Sequence, residues 1–193
     1  MRNHILALLA TVLLAGCAAA DVPATDDPAV KLQQARQLFS VEGRPAQAER
    51  LIQEAMATYR ESGDAQGLAL AHREYAYFLS TPGTDAIIAN PGGAQAPASP
   101  ERLKRALGEM REASTLFAQL NIFDRLSNTA MGEARIEHDL DDTAAACASL
   151  TRSLAASDKQ TALHPDRKPN LPPGMNSFAD LIGHFRKEYG CPP

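Results

Sequence analysis

Arg44-Pro45-Ala46-Gln47-Ala48-Glu49-Arg50-Leu51-Ile52-Gln53-Glu54-Ala55-Met56-Ala57-Thr58-Tyr59-Arg60-Glu61-Ser62-Gly63 carries the plainest structural signal in the chain. Ala48, Leu51, Ile52, Ala55 and Tyr59 recur at i, i+3, i+4, i+7 and i+11, which aligns them on one side of a helix. Pro45 sits where a first helical residue can lack its N–H. Gly63 suits the left-handed turn that ends a helix, and Asp64 supplies the carboxylate cap of the next. Helix, stop, cap and helix form a unit against which the flanking chain can be read.

Upstream, Val30, Leu32, Ala35, Leu38 and Phe39 make one apolar face, broken by Gly43. Downstream, a third helix carries Leu68, Ala71, Tyr75 and Leu79. Residues 80–100 then break the pattern with Pro82, Pro91, Pro97, Pro100, Gly83, Gly92 and Gly93, which predicts an insertion without regular structure. Ile87-Ile88, the apolar pair within it, either pins the insertion to the domain or serves as a docking hook. Ser99 caps a fourth helix with Pro100 in its first turn and Leu103, Ala106, Leu107, Met110, Ala113, Phe117 and Leu120 as its stripe. A fifth, after Asn121, carries Phe123, Leu126, Ala130 and Ala134; Asp141-Asp142 cap a sixth with Ala146, Cys147, Leu150 and Leu154. Residues 157–175 read as a polar, proline-broken link. A closing helix over 177–189 presents Phe178, Leu181, Ile182, Phe185 and Tyr189, and Gly190 stops it.

Composition agrees with an all-α chain. Among 193 residues there are few aromatics and no tryptophan, a balance with abundant alanine that favours close-packed helices over a sheet. Nineteen basic against 23 acidic side chains leave a net charge of −4, which makes no electrostatic case for nucleic acid.

The chain also resembles itself. Glu54-Ala55 through Tyr75-Ala76 aligns without gaps on Glu112-Ala113 through Glu133-Ala134, a shift of 58 that sets Tyr59 on Phe117 and Leu68 on Leu126. A shift of 99 sets Ala35 on Ala134, Ala48 on Cys147, Leu51 on Leu150 and Ala55 on Leu154. Ninety-nine is three units near the 34-residue helix-turn-helix period, and 58 is one unit plus an insert. On these residues the chain resembles a degenerate tetratricopeptide-repeat protein. The resemblance implies helix pairs over 29–60, 65–120 and 123–156, closed by the helix at 177–189. Small residues at Ala48, Ala55, Ala71, Ala76, Ala113 and Ala134 suit the close approach of helices that such a repeat needs. A helical bundle without repeat logic is the alternative.

At the amino end, Arg2 and the uncharged run Ile5–Ala15 have the form of an export signal and are too short for a comfortable membrane span. Leu14-Ala15-Gly16-Cys17 follows and is similar to the lipobox of bacterial lipoproteins. That resemblance implies a signal peptide over 1–16, removed before Cys17, and lipidation of Cys17 itself. Residues 17–28 then form a flexible tether and 29–193 a helical domain. Ala18, rather than aspartate, after the cysteine implies a lipid-anchored, periplasm-facing protein of the outer membrane. In that oxidising setting Cys147 and Cys191 are an even pair; a disulfide would close a loop of about 45 residues, worth on the order of 3–4 kcal/mol, and would pin the last helix to the core. Its alternative is one buried and one terminal free thiol.

Chemistry is sparse. HExxH, GxSxG, P-loop and dinucleotide fingerprints do not occur, and neither later cysteine lies in a CxxC. His72, beside Tyr75, reads as a packed side chain, and His138 with Asp139, Asp141 and Asp142 as a capped helix end rather than a metal site. No cofactor and no metal are expected, and the residues point away from an enzyme. The expected function is a non-catalytic protein-binding scaffold or assembly adaptor in the cell envelope, with Arg36, His72, Arg73, Tyr75 and Tyr77 near a concave face that contacts a protein partner. The alternative is a periplasmic immunity protein that neutralises an antibacterial toxin.

Overall fold

The structure, a computed structural model, describes residues 22–82 and 97–192. The expected signal peptide, Cys17 and Ile87-Ile88 lie outside the described residues. Within them the chain is all-α: α1 (Pro28–Ser40), α2 (Pro45–Ser62), α3 (Ala65–Ser80), α4 (Pro100–Gln119), α5 (Phe123–Asp139), α6 (Thr143–Leu163) and α7 (Phe178–Glu188). No helix among the described residues is long and apolar enough to cross a membrane.

Local chemistry sets most of the boundaries. The carboxylates of Asp27, Asp64 and Asp142 and the hydroxyls of Ser99 and Ser177 accept from first-turn backbone N–H groups. Asp180 completes a capping box by accepting from the Ser177 N–H. Asp142 alone caps α6; Asp141 instead occupies the left-handed region at φ 62°. Gly63 and Asn121 do the same at φ 70° and 56°. In all three turns the N–H of the following residue reaches back to a carbonyl five positions earlier: Asp64 to Tyr59 (3.0 Å), Ile122 to Phe117 (3.0 Å) and Asp142 to Glu137 (2.9 Å). The same turn closes α7, where Gly190 is at φ 70° and the Cys191 N–H reaches the Arg186 carbonyl at 2.8 Å, so among the described residues this helix-ending geometry occurs four times.

Two stretches differ from expectation. The link expected over 157–175 begins only after Leu163, because Asp158–Leu163 contains no breaker and α6 runs on until the residue before Pro165. The segment expected as a free tether already touches the domain at Val22, which packs against the main core, and the Pro23 carbonyl accepts from Gln34 Nε2 at 2.9 Å.

Each helix packs on its neighbours in sequence, and α1 also reaches α3. Ala48, Ala55, Ala71, Ala76, Ala113 and Ala134 are all completely buried, as close helix approach requires. One cluster built on Leu38, Ile52, Phe78, Leu79, Met110 and Ile136 runs from α1 to α5; a second joins Ala134, Ala146, Leu150, Ile182 and Tyr189 across α5, α6 and α7. Cys147 and Cys191 are bonded at this second cluster, their Cα atoms 5.6 Å apart, so the closing helix is fastened to α6. Tyr189 stacks on His138 with ring centroids 4.1 Å apart, which accounts for the histidine at that helix end.

The α2–α3 turn offers a test of packing. A Cβ on Gly67 would lie 2.2 Å from two Tyr59 ring carbons and 2.6 Å from an Asp64 carboxylate oxygen. Gly67→Ala is expected to lose roughly 1–3 kcal/mol in chemical denaturation. Gly108→Ala, whose Cβ meets nothing within 4 Å, is expected to gain up to about 1 kcal/mol. Equal effects at the two positions would count against this close contact.

Candidate partner-binding face

Helical spacing aims three elements at a common recess. Arg36, Phe39 and Ser40 come from α1 at i, i+3 and i+4; Arg73, Glu74 and Tyr77 come from α3; Asn128 and Met131 come from α5. Together they line a cavity of about 490 Å³. These three helices alternate along the chain with α2 and α4.

Glu74 forms the floor, with its side chain only 4% exposed. Its carboxylate accepts from Arg36 Nε at 2.9 Å, from Arg36 Nη2, and from Arg73 Nη2 at 3.3 Å. Two guanidinium groups therefore share one carboxylate. The Arg36 side chain is 58% exposed, so its head reaches solvent, whereas that of Arg73 is 12% exposed. Arg73 Nε is buried and meets no acceptor among the described residues. One turn beyond Tyr77 and Met131, Arg135 donates from Nη2 to the Ser80 hydroxyl at 2.8 Å.

Of the five residues expected on a partner face, Arg36, Arg73 and Tyr77 line this recess. His72 and Tyr75 point elsewhere. His72 Nδ1 lies 2.6 Å from Glu109 Oε2 on α4. The Tyr75 hydroxyl donates to Glu49 of α2 at 2.6 Å and accepts from Arg105 of α4 at 2.9 Å. Burial, then the bond to Glu49, pushes the Tyr75 phenol above its ordinary value of 10.0. The reason is angular: each residue turns the helix by about 100°, so His72 and Tyr75 share a side that Arg73 and Tyr77 do not. Phe39, expected only on an apolar helix face, also lines the recess, as do Ser40, Glu74, Asn128 and Met131, which were not expected there. A lone acidic residue inside the apolar stripe of α3 was the available signal for Glu74.

A second recess, about 580 Å³, opens between α4, α5 and α6, with Arg111, Ser114, Glu133, Arg152 and Lys159 in its lining. Lys159 lies over the Phe123 ring, and the other charged groups pair with one another. Arg152 donates to Glu133 at 2.6 Å and to Ser149 at 2.8 Å, Arg111 to Glu137 at 2.9 Å, Ser114 to Glu133, and Ser149 to Glu137, with the Thr129 hydroxyl 2.9 Å from that of Ser114. This network clamps the three helices together, whereas the α1/α3/α5 recess retains an unfilled donor.

No protein-family model, curated protein or solved structure matches the chain. Among the described residues, no group of three or more His, Cys, Asp or Glu side chains could hold a metal ion.

Proposed function

We propose that this protein is a non-catalytic adaptor of the bacterial cell envelope, anchored through lipid on Cys17 and binding a protein partner on the α1/α3/α5 face. The outer membrane, facing the periplasm, is the compartment that Ala18, rather than aspartate, after Cys17 favours. A tetratricopeptide-like stack is the arrangement we assign to the three helix pairs. Its support is that α1, α3 and α5, which alternate along the chain, meet on one face.

The observation that carries partner binding is the recess itself. Its apolar walls, Phe39 and Met131, flank guanidinium groups of which one keeps an unsatisfied buried nitrogen. Open grooves with apolar anchors and unfilled donors bind extended segments well, because burial and hydrogen bonding are gained together.

Crosslinking from the native envelope provides the test. A photoreactive residue at position 77 is expected to trap one envelope protein, one at position 75 is not, and Tyr77→Ala is expected to weaken capture about tenfold or more. Loss of capture in Cys17→Ser would support the anchor. Capture of a toxin domain would make the protein an immunity factor, and equal capture at 75 and 77 would remove the α1/α3/α5 face.

A further inference from the structure

We infer that the segment received by the α1/α3/α5 recess is acidic: an extended stretch of a protein partner in which Asp or Glu side chains flank an apolar residue. This rests on the reading that the face binds a protein, and it names the chemistry of that protein.

The charge inventory of the recess decides it. Arg36 and Arg73 stand against a single carboxylate, Glu74, which is almost fully covered and already accepts from both. Arg135, at the edge, spends a hydrogen bond on neutral Ser80 and makes no ion pair among the described residues. Two lining cations thus meet one buried anion, and the half-exposed Arg36 guanidinium carries the excess positive charge to the opening.

The hydrogen-bond inventory points the same way. Arg73 Nε is a buried donor without an acceptor, and leaving such a group unpaired is costly. Arg36, more than half exposed, has guanidinium hydrogens beyond those given to Glu74. No lining residue offers a free carboxylate, so a basic segment would find no counter-charge, and a neutral one would leave Arg73 weakly matched. A carboxylate from outside finds the exposed Arg36 guanidinium open to it, and guanidinium–carboxylate bonds are among the stronger neutral-pH pairings. Between them Phe39 and Met131 present apolar surface for one intervening side chain.

The test selects displayed random dodecapeptides on the purified protein and resynthesises the enriched ones with acetylated and amidated ends. Blocking the ends confines any carboxylate to side chains. Expected are sequences rich in Asp or Glu beside Leu, Ile, Met or Phe, whose binding weakens as NaCl rises. Replacing those acids by Asn or Gln, or making Arg73→Gln, should weaken binding about tenfold or more. Should Arg73→Gln disturb the fold by circular dichroism, Arg36→Gln, at an exposed side chain, serves in its place. Enriched peptides that are neutral or basic, yet lose binding on Tyr77→Ala, would overturn the acidic partner and keep the face. Peptides indifferent to Tyr77→Ala, Phe39→Ala and Arg73→Gln, or no enrichment at all, would overturn both.

Discussion

Cys147→Ser, Cys191→Ser and the double variant are expected to lose on the order of 3–4 kcal/mol of stability, and all three to the same degree. The bond joins positions 44 residues apart, so it removes much of the freedom that this segment has when unfolded. For a chain of this size the loss corresponds to roughly 10 °C in melting temperature. The effect should also be local. Within α7 only Leu181 and Ile182 are buried, with Tyr189 just after it, and residues 164–177 before it are largely exposed. The α7 face alone is therefore a small area with which to oppose the entropy of ordering the segment. Hydrogen exchange should show α7 amides losing protection in the variants before those of α1–α5 do. A reduced protein that melts like the oxidised one would show that apolar packing suffices to hold α7.

The second large effect is expected at the clamp between α4, α5 and α6. Arg111→Ala is expected to cost roughly 3 kcal/mol or more, and Glu137→Met distinctly less, although both break the same ion pair. The asymmetry follows from burial. The Glu137 side chain is 3% exposed and that of Arg111 is 56% exposed. Without Arg111 the Glu137 carboxylate keeps the bond from Ser149 but loses its counter-charge in a place water reaches poorly. Without Glu137 the arginine swings into solvent, and a methionine of similar volume fills the gap. The double variant Arg111→Ala with Glu137→Met should recover most of the loss, which urea denaturation of the four proteins measures as a cycle. Equal costs for the two single variants would mean that water reaches Glu137 freely.

Much of this architecture was legible from residues alone. Ala48, Leu51, Ile52, Ala55 and Tyr59 were assigned to one face and are all buried. Asp64, Ser99 and Gly63 mark helix ends by mechanisms that act within a few residues. The 58-residue self-alignment places Gly63 on Asn121, and both end a helix in the left-handed region, as Asp141 and Gly190 also do. The overrun of α6 to Leu163 was missed because polarity was read as a break, when only Pro165 forbids the helix from continuing.

The candidate site was legible only in part. Periodicity separates an apolar side of α3 from a polar one, yet it does not say which neighbour each polar residue meets. His72 and Tyr75 turned out to be occupied by Glu109 and Glu49 from flanking helices. Asn128 and Met131 entered the recess from α5, a full helix pair away in sequence.

By itself, then, the sequence determined the all-α class, most helix limits and an even cysteine pair, because caps, breakers and a period of 3.6 are properties of neighbours along the chain. Tertiary structure decided which charges are buried and which face stays open. Glu74, Glu133 and Glu137 each sit in a helix that also carries exposed residues, and no local feature names the partner that covers them. They are covered because Arg36, Arg152 and Arg111 reach them from other helices, and that reach depends on how the helices stack.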